Sequence, residues 1–262
     1  MKIKRVIERT LQLVATSVVL VLLVQANACF NLSPYRVTRI PRVVARGEPE
    51  AIGELSRLAD FYGTDKGPSG HGFSEIYEVY LSPLRHRVKK VLEIGIENGA
   101  SLRMFADYFP AAAIYGIDIN RRDFLFWTAS RIQAFVADQA SRDELRAVTS
   151  AIGGDFDLIL DDGGHSMEQQ QVSLGALFPL VKAGGYYILE DVHTSFGGSA
   201  FGARADGSNT TYQVIAGYIQ HQDVVSEYMR PEERAYLADH LAYLNLALVG
   251  KSSITCIFKK RQ

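Results

Sequence analysis

From residue 90 onward the chain alternates short, nearly continuous apolar runs with stretches of helical spacing, and this rhythm leaves few folds open. The spacing predicts strands over 91–96, 114–119, 134–138, 156–160 and 186–189, and helices over 101–109, 123–131, 141–152 and 167–181. A strand that is apolar on both sides needs both faces of its sheet covered, and helices between strands supply parallel crossovers with that cover. Two further strand-like runs, 243–249 and 253–259, are joined by Gly250-Lys251-Ser252 and read as an antiparallel hairpin. The expected fold is therefore α/β: a Rossmann-like, doubly wound, mostly parallel seven-stranded sheet closed by a C-terminal antiparallel hairpin. At 262 residues and 47% hydrophobic, the chain can fill such a core.

The first ninety residues break this rhythm. Lys2, Lys4, Arg5 and Arg9 precede an apolar stretch over 11–24, and Ala26-Asn27-Ala28 follows with small residues spaced like a leader-cleavage site. Three readings stay open: a cleaved leader, a membrane-associated helix with its polar residues on one face, and a helix packed on a partner. The expected organisation is a hydrophobic N-terminal helix (1–30), a proline- and arginine-rich linker (31–50), a helical cap with a glycine-dense loop (51–90), and an α/β domain (91–262). Within the cap, helices are expected over 51–62 and 73–84, with the loop 63–72 between them.

Charge narrows the function. The 28 basic and 29 acidic residues give a net charge of −1, so no global field draws in nucleic acid, and none is expected as a partner. Cys29 and Cys256 are too few for a disulfide framework or zinc cluster.

In such sheets, ligands bind beyond the carboxyl ends of the strands. The first strand ends in Glu93-Ile94-Gly95-Ile96-Glu97-Asn98-Gly99-Ala100-Ser101. Gly95 permits a tight turn, and Gly99 admits the chain to a helix whose first amides are unpaired. Glu97 sits where a dinucleotide-binding turn would need a glycine, so the turn repels phosphate and suits a ligand carrying a cationic amine. Asp118 closes the second strand, where a carboxylate can accept both hydroxyls of a ribose. Asp138-Gln139 closes the third.

The fourth strand ends in Asp161-Asp162-Gly163-Gly164-His165 and the fifth in Glu190-Asp191-Val192-His193. Parallel strands bring both ends to one side of the sheet. Carboxylates gathered so closely repel unless a cation lies between them, and a hard divalent ion such as Mg2+ is the natural partner of oxygen donors. His165, beside them, has the ordinary pKa of a general base.

From Leu58 onward the chain resembles the magnesium-dependent sugar O-methyltransferases of macrolide biosynthesis, within the class I methyltransferases. The resemblance lies in LADFYGTDKG, GHGFSEIY, VLEIGIENGASLRMFADYFP, YGIDI, FDLILDDGGHS and GGYYILEDVHTS. It implies S-adenosyl-L-methionine as cofactor, bound by Glu93, Gly95, Gly99, Ser101, Asp118, Asp138 and Gln139, with the group after the third strand meeting the adenine. It further implies Mg2+ on Asp162, Glu190 and Asp191, and His165 as the base that deprotonates a sugar hydroxyl. The glycine-dense loop is expected to close over the cofactor, with Lys66 and His71 as candidate ligand contacts. The family's macrolide members carry a separate N-terminal domain without a counterpart in these motifs, so their assembly and large-aglycone pocket are not carried over.

The acceptor expected from this resemblance is a small-molecule glycoside, glycolipid or polysaccharide. A catechol-type enzyme with Trp127 as an apolar wall, and a non-catalytic cofactor-binding subunit, are the competing readings. Since S-adenosylmethionine is a cytosolic cofactor, the expected location is cytoplasmic, with residues 1–28 attaching the chain peripherally to the inner membrane face. Self-association into a homo-oligomer is the remaining partner expectation.

Overall fold

The computed structural model describes residues 53–120, 131–250 and 253–262. Expectations for the N-terminal helix, the linker, the helix over 123–131 except Arg131, Trp127, Cys29 and the turn at 251–252 lie outside these residues.

Five parallel strands and a hairpin form the sheet: β1 (Lys90–Ile94), β2 (Ala113–Asp118), β3 (Ile132–Val136), β4 (Phe156–Asp161), β5 (Val181–Leu189), β6 (Leu241–Val249) and β7 (Ser253–Lys260). Their order is β3-β2-β1-β4-β5-β7-β6, with β7 antiparallel to both neighbours. This is the seven-stranded arrangement expected from the sequence. Alternation along each strand divides the core. Leu92, Ile94, Ile159, Tyr187 and Leu189 face one apolar cluster, while Val91, Leu158, Leu160, Tyr186 and Ile188 face another.

Helices α1 (Glu54–Tyr62), α2 (Phe73–Leu81) and α3 (Ala100–Tyr108) cover the second cluster through Leu55, Ala59, Phe73, Tyr77, Phe105 and Tyr108. Helices α4 (Arg142–Ile152) and α5 (Met167–Leu177) cover the first, through Leu145, Val148, Leu174 and Leu177. Ser141 caps α4 by accepting from the Glu144 amide, and Ser166 and Gln169 form a reciprocal capping box on α5. Helix α5 stops short of the expected residue 181. Pro179 lies in a 3-10 turn, Phe178–Leu180, and β5 begins at Val181, because a proline has no amide hydrogen to donate to the carbonyl four residues back and so breaks the α-helical ladder. Pro83 likewise turns the end of the expected helix 73–84 into a 3-10 turn, Ser82–Leu84.

Two helices not expected from the residue pattern precede the hairpin: α6 (Thr211–His221) and α7 (Pro231–His240). Leu237 is the buried residue of α7. Polar contacts fix this helix instead: Arg142 makes a bidentate pair with Glu233 at 2.7 Å on both arms and also donates to the Tyr228 carbonyl at 2.6 Å. Among the described residues no helix is long and apolar enough to cross a membrane.

Candidate active site

Strand register places the candidate residues. Ile94 pairs with Ile117 on one side and Asp161 on the other, and Asp161 pairs with Leu189. The next residues along, Gly95, Asp118, Asp162 and Glu190, are therefore level at one edge of the sheet.

The turn after β1 depends on its glycines. Gly95 has φ +78°, and a Cβ there would lie 2.0 Å from the Asp162 carbonyl oxygen and 2.6 Å from the Gly163 Cα. The first turn is thus in backbone contact with the loop carrying the acidic group. Gly99, with φ +72°, is the N-cap of α3. Asp118 straps this turn, its Oδ2 accepting from the amides of Ile96 at 3.3 Å and Glu97 at 3.2 Å. Asp138 is half-buried at the end of β3 and accepts from the Ala140 amide at 2.8 Å. Gln139 turns inward, donating to Asp161 at 3.1 Å and accepting from the Gly164 amide. Asp161 itself is buried and takes further hydrogen bonds from Tyr187, at 2.6 Å, and from Ser173. Gln139 and Asp161 thus brace the loop 162–165 from beneath.

Glu93 lies on the sheet face under the helical cap and is 0% exposed. Ser101 donates to its Oε2 at 2.8 Å, while Oε1 has no hydrogen-bond partner. Burial pushes its carboxyl up to about 7, against the pull of Lys66 and Ser101. The native carboxyl holds its proton more tightly than the unfolded chain does, so its contribution is present below pH 4.5 and is lost as the pH rises to 7. That shift corresponds to about 3 kcal/mol. Thermal unfolding across this window should show wild type losing more stability than Glu93→Gln; parallel curves would refute the assignment.

Glu190 and Asp191 are adjacent and face different surroundings. Glu190 is 1% exposed and accepts from Tyr77, with the Lys66 ammonium 3.2 Å from Oε1. Burial, then the like charge of Asp162, raises its pKa well above the usual range. Asp191 adopts φ +56°, which directs it out of the strand path. Its Oδ1 accepts from Ser253 at 2.6 Å and lies 3.5 Å from His193 Nδ1, while its Oδ2 lies 3.4 Å from His165 Nε2.

Asp162, His165 and Asp191 each offer an atom within 4.8 Å of the others, the spacing of a metal-binding group. The two partly exposed carboxylates are oxygen donors that fit a divalent ion retaining open positions for a hydroxyl, and the imidazole lies beside them. Of the residues expected to bind the ion, Asp162 and Asp191 are in this group and Glu190 is not; His165, expected as the base, sits within it. Three partners had no expected role at the ion site: Tyr77, Ser253 and the buried Lys66 as counter-charge. Tyr77 and Lys66 do lie within quoted motifs, whereas Ser253 opens β7 with no local signal. His71 is exposed, its ring centroid 5.7 Å from that of Phe73.

A family described as a methyltransferase domain matches residues 92–192. The chain is 36% identical over 242 residues to the 8-demethyl-8-(2-methoxy-alpha-L-rhamnosyl)-tetracenomycin-C 3'-O-methyltransferase of Streptomyces olivaceus, covering 84% of this chain and 60% of that protein. It is 32% identical to the mycinamicin VI 2''-O-methyltransferase of Micromonospora griseorubida, covering 76% and 52% of the two chains. Among solved structures, the methyltransferase MycE of the mycinamycin pathway, in complex with Mg, SAH and mycinamycin VI, superposes with a TM-score of 0.68 at 27% identity, covering 80% of this chain and 55% of that one. The chain spans about half the length of the curated relatives it matches.

Proposed function

We propose that the chain, an S-adenosylmethionine-dependent methyltransferase related to the macrolide and glycoside sugar O-methyltransferases, moves the methyl group of S-adenosylmethionine to a sugar hydroxyl of a glycosylated small molecule, glycolipid or polysaccharide. The observation that carries this reading is the Asp162, His165 and Asp191 group, set level with the Gly95 turn and in backbone contact with it. Cofactor and acceptor sites then share one cleft.

Each part of the cleft has a task. The Gly95–Gly99 turn leaves room for the cofactor at the start of α3, and Asp118 and Asp138 offer acidic groups at the ends of β2 and β3. A sugar hydroxyl is a weak nucleophile because its pKa lies far above neutrality. A divalent ion held by Asp162 and Asp191 would supply Lewis acidity at that hydroxyl, with Glu190, bonded by Tyr77 and Lys66, packed behind Asp162. Asp191 orients the imidazole, and His165 takes the hydroxyl proton. The sugar oxygen then forms its bond to the methyl carbon as the carbon–sulfur bond breaks. The electron pair of that bond stays on sulfur, leaving S-adenosylhomocysteine. This reading also places the enzyme in the cytosol, where its methyl donor is made.

Incubation with methyl-labelled S-adenosylmethionine, Mg2+ and two acceptor panels tests the reading. Label should appear on rhamnosides and related deoxyglycosides and be absent from catechols. Transfer to catechols alone would replace the sugar with a phenolic acceptor.

A further inference from the structure

Within the proposed reading of a divalent ion held by Asp162 and Asp191, we infer that Lys66 is a built-in counter-ion that shares Asp162 with the metal, so that metal entry loosens the loop 63–72. Asp162 belongs to two groups at once. It contributes to the set with His165 and Asp191, and its Oδ2 also bonds the Lys66 ammonium.

Lys66 is 1% exposed, and its Nζ also lies 3.2 Å from Glu190 and 3.9 Å from Glu93. Carboxylates from the ends of β1, β4 and β5 thus converge on one buried ammonium. Burial pulls its pKa down, but the charges of Asp162, Glu190 and Glu93 outweigh that and keep the ammonium charged. Without a cation these carboxylates would repel at close range in a poorly solvated setting. Lys66 supplies that cation when no metal is present, which keeps the site assembled. A second cation on Asp162 is repelled by the first, so Lys66 weakens metal binding and makes it exchangeable.

The same side chain ties the loop to the sheet. Lys66 lies between the Gly63 end of α1 and the Gly72 start of α2, and its carbonyl accepts from the Ser74 amide at 2.8 Å. His71 N donates to Asp65 O at 2.6 Å and Gly72 N to Gly67 O at 2.9 Å, so the loop is a connected unit with its charged anchor in the cleft. When Asp162 turns to the metal, the anchor weakens and the loop is released to admit or discharge ligand.

Mn2+ titration followed by electron paramagnetic resonance tests this on the full chain. Removing the ammonium in Lys66→Met should tighten Mn2+ binding by roughly tenfold or more, and Lys66→Arg, which keeps the charge, should stay near the wild-type affinity. Hydrogen exchange on the wild-type protein gives an independent readout that needs no variant: saturating Mn2+ should speed exchange of the amides at 64–74. Equal or weaker Mn2+ binding by Lys66→Met, or unaltered loop exchange on metal binding, would overturn the inference. Failure of wild type and Lys66→Met alike to bind Mn2+ would refute the divalent-ion reading itself, and this inference with it.

Discussion

Replacing His165 with alanine should lower turnover about a thousandfold while S-adenosylmethionine binds with unchanged affinity, a loss within the range for removal of a general base. The separation follows from geometry. His165 belongs to the loop after β4 and faces Asp191 at 3.4 Å, whereas the turn proposed to hold the cofactor runs from Gly95 to Gly99 after β1. His193 also approaches Asp191, at 3.5 Å, so His193→Ala is the necessary comparison. If His165 is the base, the His193 variant retains most of the activity and the His165 variant does not. Single-turnover rates together with equilibrium cofactor titrations distinguish a chemical defect from a binding one. Wild-type rates in His165→Ala would remove its proposed role.

Gly95→Ala carries the second large effect, on structure and function together. Its φ of +78° disfavours any side chain, and the added Cβ would lie 2.0 Å from the Asp162 carbonyl oxygen. The obstructing atoms are backbone, so no rotamer change relieves the clash. The loop carrying Asp162 and His165 must move away from the first turn. A cost of about 3 kcal/mol or more is expected from backbone conformation and overlap combined. Urea unfolding should show a lowered midpoint, and cofactor titration a weakened site even in the folded fraction. An unfolding midpoint and cofactor affinity equal to wild type would contradict the close approach of these loops.

The strand ends were legible in the sequence because parallel strands make it a matter of counting. A carboxylate just past each apolar run must reach the same edge, which brought Asp118, Asp138, Asp162 and Glu190 to one side. The division of labour between Glu190 and Asp191 was not legible. It depends on the left-handed backbone at Asp191, which lets one carboxylate face Tyr77 and Lys66 while its neighbour faces His165 and His193. The depth of Lys66 was hidden for a related reason. A lysine in a glycine-rich loop is ordinarily solvated, and its burial requires that α1 and α2 pack over the Glu93 face of the sheet. Helix α7 escaped because Leu237 alone is buried, leaving no apolar stripe to detect.

The central claim is that one cleft binds a methyl donor beside an acid–imidazole group that handles an acceptor hydroxyl. Calorimetric titration with S-adenosylmethionine in EDTA, and then with a reactive glycoside acceptor in the presence of S-adenosylhomocysteine with and without Mg2+, tests it most directly. S-adenosylmethionine is expected to bind in EDTA, and acceptor heat is expected when Mg2+ is present. Folded protein that binds no S-adenosylmethionine, or acceptor binding that is indifferent to Mg2+, would contradict it.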